Sequence, residues 1–158
     1  MCLCNPIPVY RDGEDIKVYK VVEKVPWDNA YRSPYYPFGE GSLWKLGETN
    51  TIEECGPKFI TMFDGTLKIE WGVFHTFYHL KDAAEMMFNW QKHAHMSHDC
   101  TRYAVIECVI PANTKCAFFG WFYKNDSDDP VPSYASQSLT PVRVLTKEEI
   151  NKHVPNHR

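Results

Sequence analysis

The chain has 158 residues, 44% hydrophobic and 15% aromatic, with 17 basic against 20 acidic side chains and a formal charge of −3. That length fits one domain able to bury roughly two-thirds of its unfolded surface. The charge provides no basic field to neutralise phosphates along a duplex, which argues against general nucleic-acid binding. No run approaches the roughly 20 apolar residues of a membrane-spanning helix, and Met1-Cys2-Leu3-Cys4-Asn5-Pro6 lacks the basic lead and apolar stretch of a signal peptide. A soluble cytoplasmic protein is expected, its six cysteines reduced and without Cys-x-x-Cys zinc spacing.

Residues 1–14 read as a flexible leader, 15–150 as a single domain and 151–158 as a C-terminal tail. Residues 15–22 alternate in the strand sense, with Ile16, Val18 and Val22 on one face and Tyr19 and Val21 on the other. Residues 26–57 follow as a long crossover dense in Pro, Gly and rings, the kind of segment that tends to be functional or mobile. Lys58 to Phe63 and Thr66 to Phe77 read as a hairpin turned at Asp64-Gly65, with Gly72 a bulge. Leu80, Ala83, Ala84, Met87 and Trp90 or Gln91 recur at helical spacing over residues 80–94, preceded by His79 as cap, with Asp82 in the first turn where a carboxylate favours the helix dipole. Tyr103 to Ile110 is apolar on nearly both sides and belongs in the middle of a covered sheet. Ala117 to Tyr123 and Val142 to Leu145 complete the strands, and Thr146 three residues before Glu149 has capping-box spacing for a C-terminal helix. The expected fold is α+β: a twisted, mainly antiparallel sheet of five or six strands with one principal helix on a face.

Imidazole and thiolate make His93, His95, His98 and Cys100 the metal candidates. His93 and His95 diverge by about 200° on a continuing helix, so a solvated loop is favoured over a metal centre. Cys108 falls on an apolar strand face and reads as core. His75 and Thr76 sit between buried aromatics on opposite faces of one strand, so one polar group must enter the apolar side and find a partner. A satisfied core histidine competes with a binding role there. Arg32 and Tyr35, near Ser33 and Tyr36, combine a guanidinium with stackable rings suited to a planar or phosphorylated molecule. Tyr134 and Ser136, with Gln137, add hydroxyls and an amide. Arg32, Tyr35, His75, Thr76, Tyr134 and Ser136 are therefore expected to line one recognition surface. There is no Walker loop, Gly-x-Gly-x-x-Gly, Gly-x-Ser-x-Gly or His-Glu-x-x-His motif. No catalytic residue, cofactor or metal is assigned.

Taken in order, Val18-Tyr19-Lys20-Val21-Val22, Ser33-Pro34-Tyr35, Gly72-Val73-Phe74-His75-Thr76-Phe77 with Asp82-Ala83-Ala84, Val105 to Pro111, and Tyr134-Ala135-Ser136 resemble small proteins encoded by bacteriophages and mobile elements. The resemblance spans most of residues 16–145. It implies a non-enzymatic protein of a bacterial host's cytoplasm that interferes with host defence, as CRISPR inhibitors and nucleotide sponges do, by engaging a defence protein or sequestering a small nucleotide-like ligand. The same element order is also similar to ADP-ribosyltransferase-like folds, which implies a nucleotide cleft near Arg32, His75-Thr76 and Gln137. The catalytic Glu expected after Tyr134 to Leu139 is absent. Transferase or other nucleotide-processing activity at that cleft is the alternative to binding alone.

Overall fold

The structure, a computed structural model, describes residues 3–9, 13–25, 30–32, 43–52, 57–93, 103–123 and 130–154. It opens with β1 (Leu3–Pro8), β2 (Ile16–Val25), β3 (Ala30–Arg32), β4 (Leu43–Trp44) and β5 (Asn50–Thr51). Next come β6 (Lys58–Thr61), β7 (Leu67–Trp71), β8 (Phe74–Phe77) and helix α1 (Leu80–His93). Strands β9 (Tyr103–Ile110), β10 (Ala117–Phe122), β11 (Val131–Ser136) and β12 (Ser138–Val144) lead into α2 (Lys147–His153). The expected α+β class holds, although the fold is dominated by its sheet. All pairings among the described residues are antiparallel. The strand order is β5-β12-β9-β2-β8-β11-β10-β1-β7-β6, with β3 and β4 forming an arm attached to β2. Among the described residues, twelve strands replace the expected five or six. No described helix is long and apolar enough to cross a membrane.

Three boundaries differ from expectation, each for a local reason. Residues 1–14 are not simply a leader: β1 inserts between β10 and β7, and its Leu3 is fully buried against Ile69, Val73 and Ala135. The single strand expected over residues 66–77 is two strands, because Gly72 takes φ 80°, a left-handed conformation that ends β7 and redirects the chain into β8. The tail expected at 151–158 begins inside α2, which runs to His153 and buries Ile150 and Val154. The Thr146–Glu149 capping box is present in both directions, at 3.2 and 2.8 Å. Gly65 supplies the expected positive φ, 82°, at the β6–β7 turn.

The sheet is packed on both faces. On one, Ala83, Ala84, Met86 and Met87 of α1 meet Val21, Phe77 and Val105, and α2 adds Ile150. On the other, Val18, Val22, Ala104, Ile106, Cys108, Ile110 and Leu139 gather around Trp44. Apolar burial on both sides explains why β2 and β9, paired over eight residues, form the centre of the β12-β9-β2 half. Gly120 on β10 permits the close approach of β1, since a Cβ there would stand 2.6 Å from the Cys4 carbonyl oxygen and 2.8 Å from Leu3 Cγ. Gly120→Ala is therefore expected to lose about 2 kcal/mol of unfolding free energy in a urea titration, because backbone must shift to admit the methyl.

Candidate functional site

The site grows from the register of four neighbouring strands. Strand β11 pairs with β8 so that Tyr134 stands opposite Thr76 and Ser136 opposite Phe74. Strand β10 sets Phe119 opposite Tyr134, and β1 sets Ile7 opposite Phe119. Directly paired residues share a face, so Thr76, Tyr134, Phe119 and Ile7 form one row across the sheet, on the side away from α1. Strand β2 meets β8 at one residue pair, Tyr19 with Phe77. Alternation from that pair turns Lys20 and Thr76 to the same side of the sheet.

The row is ringed and partly open to solvent. Tyr134 and Phe119 have centroids 5.2 Å apart, Phe119 and Trp121 5.7 Å, and Tyr78 and Tyr134 6.0 Å. Tyr78 is 46% exposed, Trp121 37% and Ile7 61%, whereas Thr76 at the floor is fully buried. Tyr78 also lines a cleft of about 480 Å³ with Tyr19, His79, Leu80, Lys81, Asp82 and His153. The rings thus form a continuous surface from the sheet face to the start of α1.

Lys20 is the unusual group. It is 7% exposed, between Val18 and Val22 on an apolar strand face. Its Nζ donates to the His75 carbonyl oxygen at 2.8 Å and lies 5.2 Å from the Trp44 ring centroid. Trp44 in turn meets Phe74 edge-on at 5.3 Å. The His75 carbonyl is available because β2 and β8 diverge beyond their single pair, and the amine fills the gap. Burial lowers the Lys20 pKa from 10.5 to about 8, while the neighbouring Cys108 acts in the opposite sense.

The expected recognition residues divide between the two faces. Thr76, Tyr134 and Ser136 come together, with the Thr76 hydroxyl donating to the Tyr134 carbonyl at 3.4 Å and the Ser136 hydroxyl to the Ser138 carbonyl at 2.9 Å. His75 points the other way, across from Ala135, with Nε2 3.1 Å from the Glu70 carbonyl oxygen. A carbonyl only accepts, so Nε2 carries the proton of a neutral ring. Burial drives its pKa from 6.5 down to about 3, against the Glu70 bond and with help from Lys20. Arg32 is also on the α1 side, ion-paired to Glu23 at 3.0 Å in register with Tyr103, which packs on Trp90. The described part of the crossover does reach the Thr76 face, through Trp44 rather than Arg32. Tyr35 lies outside the described residues, as do His95, His98, Cys100 and the side chain of His93. Among the described residues no group of three or more His, Cys, Asp or Glu is placed to hold a metal. Cys108 is core, as expected, with burial pushing its thiol up to about 12.

No protein-family model, curated protein or solved structure matches the chain.

Lys20, Trp44, Phe119 and Trp121 were not among the expected site residues. Lys20 left a signal, since Ile16, Val18 and Val22 mark an apolar face on which position 20 is the one charged member. The rings of β10 left none, because their partner Tyr134 is known only from the register.

Proposed function

We propose that the chain is a non-enzymatic binding protein of phage or mobile-element origin, acting in the bacterial host's cytoplasm. It interferes with host defence by sequestering a small nucleotide-like ligand or by engaging a defence protein. The observation that carries this reading is the row of partly exposed rings, Tyr78, Tyr134, Phe119 and Trp121, beside Thr76. Stacked and edge-on rings supply contact area at small entropic cost, and neighbouring hydroxyls select the partner. Two of the described imidazole and thiol groups are withheld from catalysis by burial. The His75 ring is neutral and committed to Glu70, and the Cys108 thiol is held protonated, so neither is poised as a base or nucleophile near neutral pH.

An enzyme acting on nucleotides in the same crease, by ADP-ribosyl transfer or otherwise, is favoured by one feature, the divergence of β2 and β8 after a single pair. Incubating the purified chain with NAD and with cyclic nucleotides, then resolving the mixture by mass, separates the two readings. Recovery of every nucleotide unmodified is expected. Turnover of any of them ends the binding-only reading.

A further inference from the structure

We propose that Lys20 and Thr76 form an anion notch that takes the phosphate of a small ring-bearing phosphate ester, whose ring lies on Tyr134 and Phe119. The inference rests on the recognition face proposed above and names its ligand class. Lys20 is more than nine-tenths buried, yet among the described residues the acceptor bonded to its Nζ is one carbonyl oxygen, that of His75. No described carboxylate forms an ion pair with it. Buried ammonium groups ordinarily carry a countercharge, so an uncompensated one is a functional candidate.

Titratable neighbours do not supply that charge. The thiol of Cys108 on β9 and the ring of His75 on β8 are both uncharged near pH 7. What covers the ammonium is the face of Trp44, a weaker electrostatic partner than an oxyanion. Trp44 sits on the two-residue β4, whose strand partner among the described residues is β3, and the chain after it returns to β12 through the Gly47 N–H, which donates to the Pro141 carbonyl at 2.7 Å. The phosphate takes the indole's place over Nζ, using the two N–H bonds that His75 leaves over and the Thr76 hydroxyl on the same side of the sheet, which turns to it from the Tyr134 carbonyl. Tyr134 stands two strands from Lys20, about 10 Å at ordinary strand spacing, which suits a phosphate and a planar base joined by a sugar.

The test uses the full chain with adenosine 5′-monophosphate, adenosine and inorganic phosphate as probes, followed by calorimetry and by the NMR signal of the Lys20 ammonium. Wild type is expected to bind the monophosphate at least about tenfold more tightly than adenosine, and Lys20→Met to erase that difference while leaving adenosine unchanged. Thr76→Val, which keeps the volume and the charge, is expected to reduce the preference in part. Binding the monophosphate should also raise the Lys20 titration midpoint from about 8 towards 10.5, which a purely structural lysine would not show. Equal binding of monophosphate and adenosine, an unaltered preference in Lys20→Met, or no binding of any probe overturns the notch. If Tyr134→Ala weakens both nucleoside probes alike while Lys20→Met does nothing, the notch fails and the recognition face stands. If Tyr134→Ala leaves bound probes untouched, the face itself fails.

Discussion

Acidification from pH 7 to pH 4 is expected to cost the protein about 3 kcal/mol of unfolding free energy through His75 alone, and about 4 kcal/mol by pH 3. The folded imidazole, desolvated and bonded to the Glu70 carbonyl, titrates near 3 against 6.5 for the exposed group. Between those values the unfolded chain binds the proton and the folded chain does not, so stability falls as pH falls through that window. The contribution is intact above 6.5. His75→Gln retains a donor for Glu70 and removes the titration. Urea titrations of both proteins at pH 7, 5 and 4 should therefore diverge in slope, with wild type losing more. Parallel curves would show that His75 is not a buried neutral ring.

Lys20→Met is expected to stabilise the protein at pH 7, although it deletes a hydrogen bond. Depression of the lysine pKa from 10.5 to about 8 corresponds to a penalty on the order of 3 kcal/mol for keeping the charged form folded. Orphaning the His75 carbonyl returns about 1 to 2 kcal/mol of that. A net gain of about 1 to 2 kcal/mol should remain, consistent with apolar replacements of buried charges elsewhere. The pH dependence has a definite sign. The penalty is fully present below pH 8 and is relieved as pH rises towards 10.5, so wild-type stability climbs by roughly 1 kcal/mol between pH 8 and 9 while the variant stays flat. Above pH 9 Cys108 works in the opposite direction, because its folded thiol keeps its proton to about 12. A charged group buried at a cost to stability is in keeping with the binding role proposed for Lys20.

Much of the fold was legible because its signals are local. Tyr103 to Ile110 is apolar on nearly both sides and became the buried β9, and the Leu80, Ala83, Ala84 and Met87 spacing became the buried stripe of α1. Thr146 and Glu149 close their capping box as spaced. Strand β1 was hidden because Cys4-Asn5-Pro6 has the composition of a loop, and Asn5 does adopt φ 51° within the strand. The break at Gly72 was visible as a glycine, but whether it bulges or ends a strand depends on partners 50 or more residues away. The site followed the same division. Alternation correctly separated His75 from Thr76, and that separation is why Arg32 and His75 do not join Thr76, Tyr134 and Ser136. The burial of Lys20 is not legible in the sequence, because a lysine in an alternating strand is ordinarily turned outward and its burial is imposed by Trp44 from the crossover.

A native mass spectrum of freshly purified wild type, beside a Tyr134→Ala, Trp121→Ala double variant prepared identically, tests the recognition face most directly. The wild-type chain should carry a bound small molecule or a stoichiometric partner that the equally folded variant lacks. Retention of the same bound mass by both proteins, or a wild type that carries neither, would contradict the account.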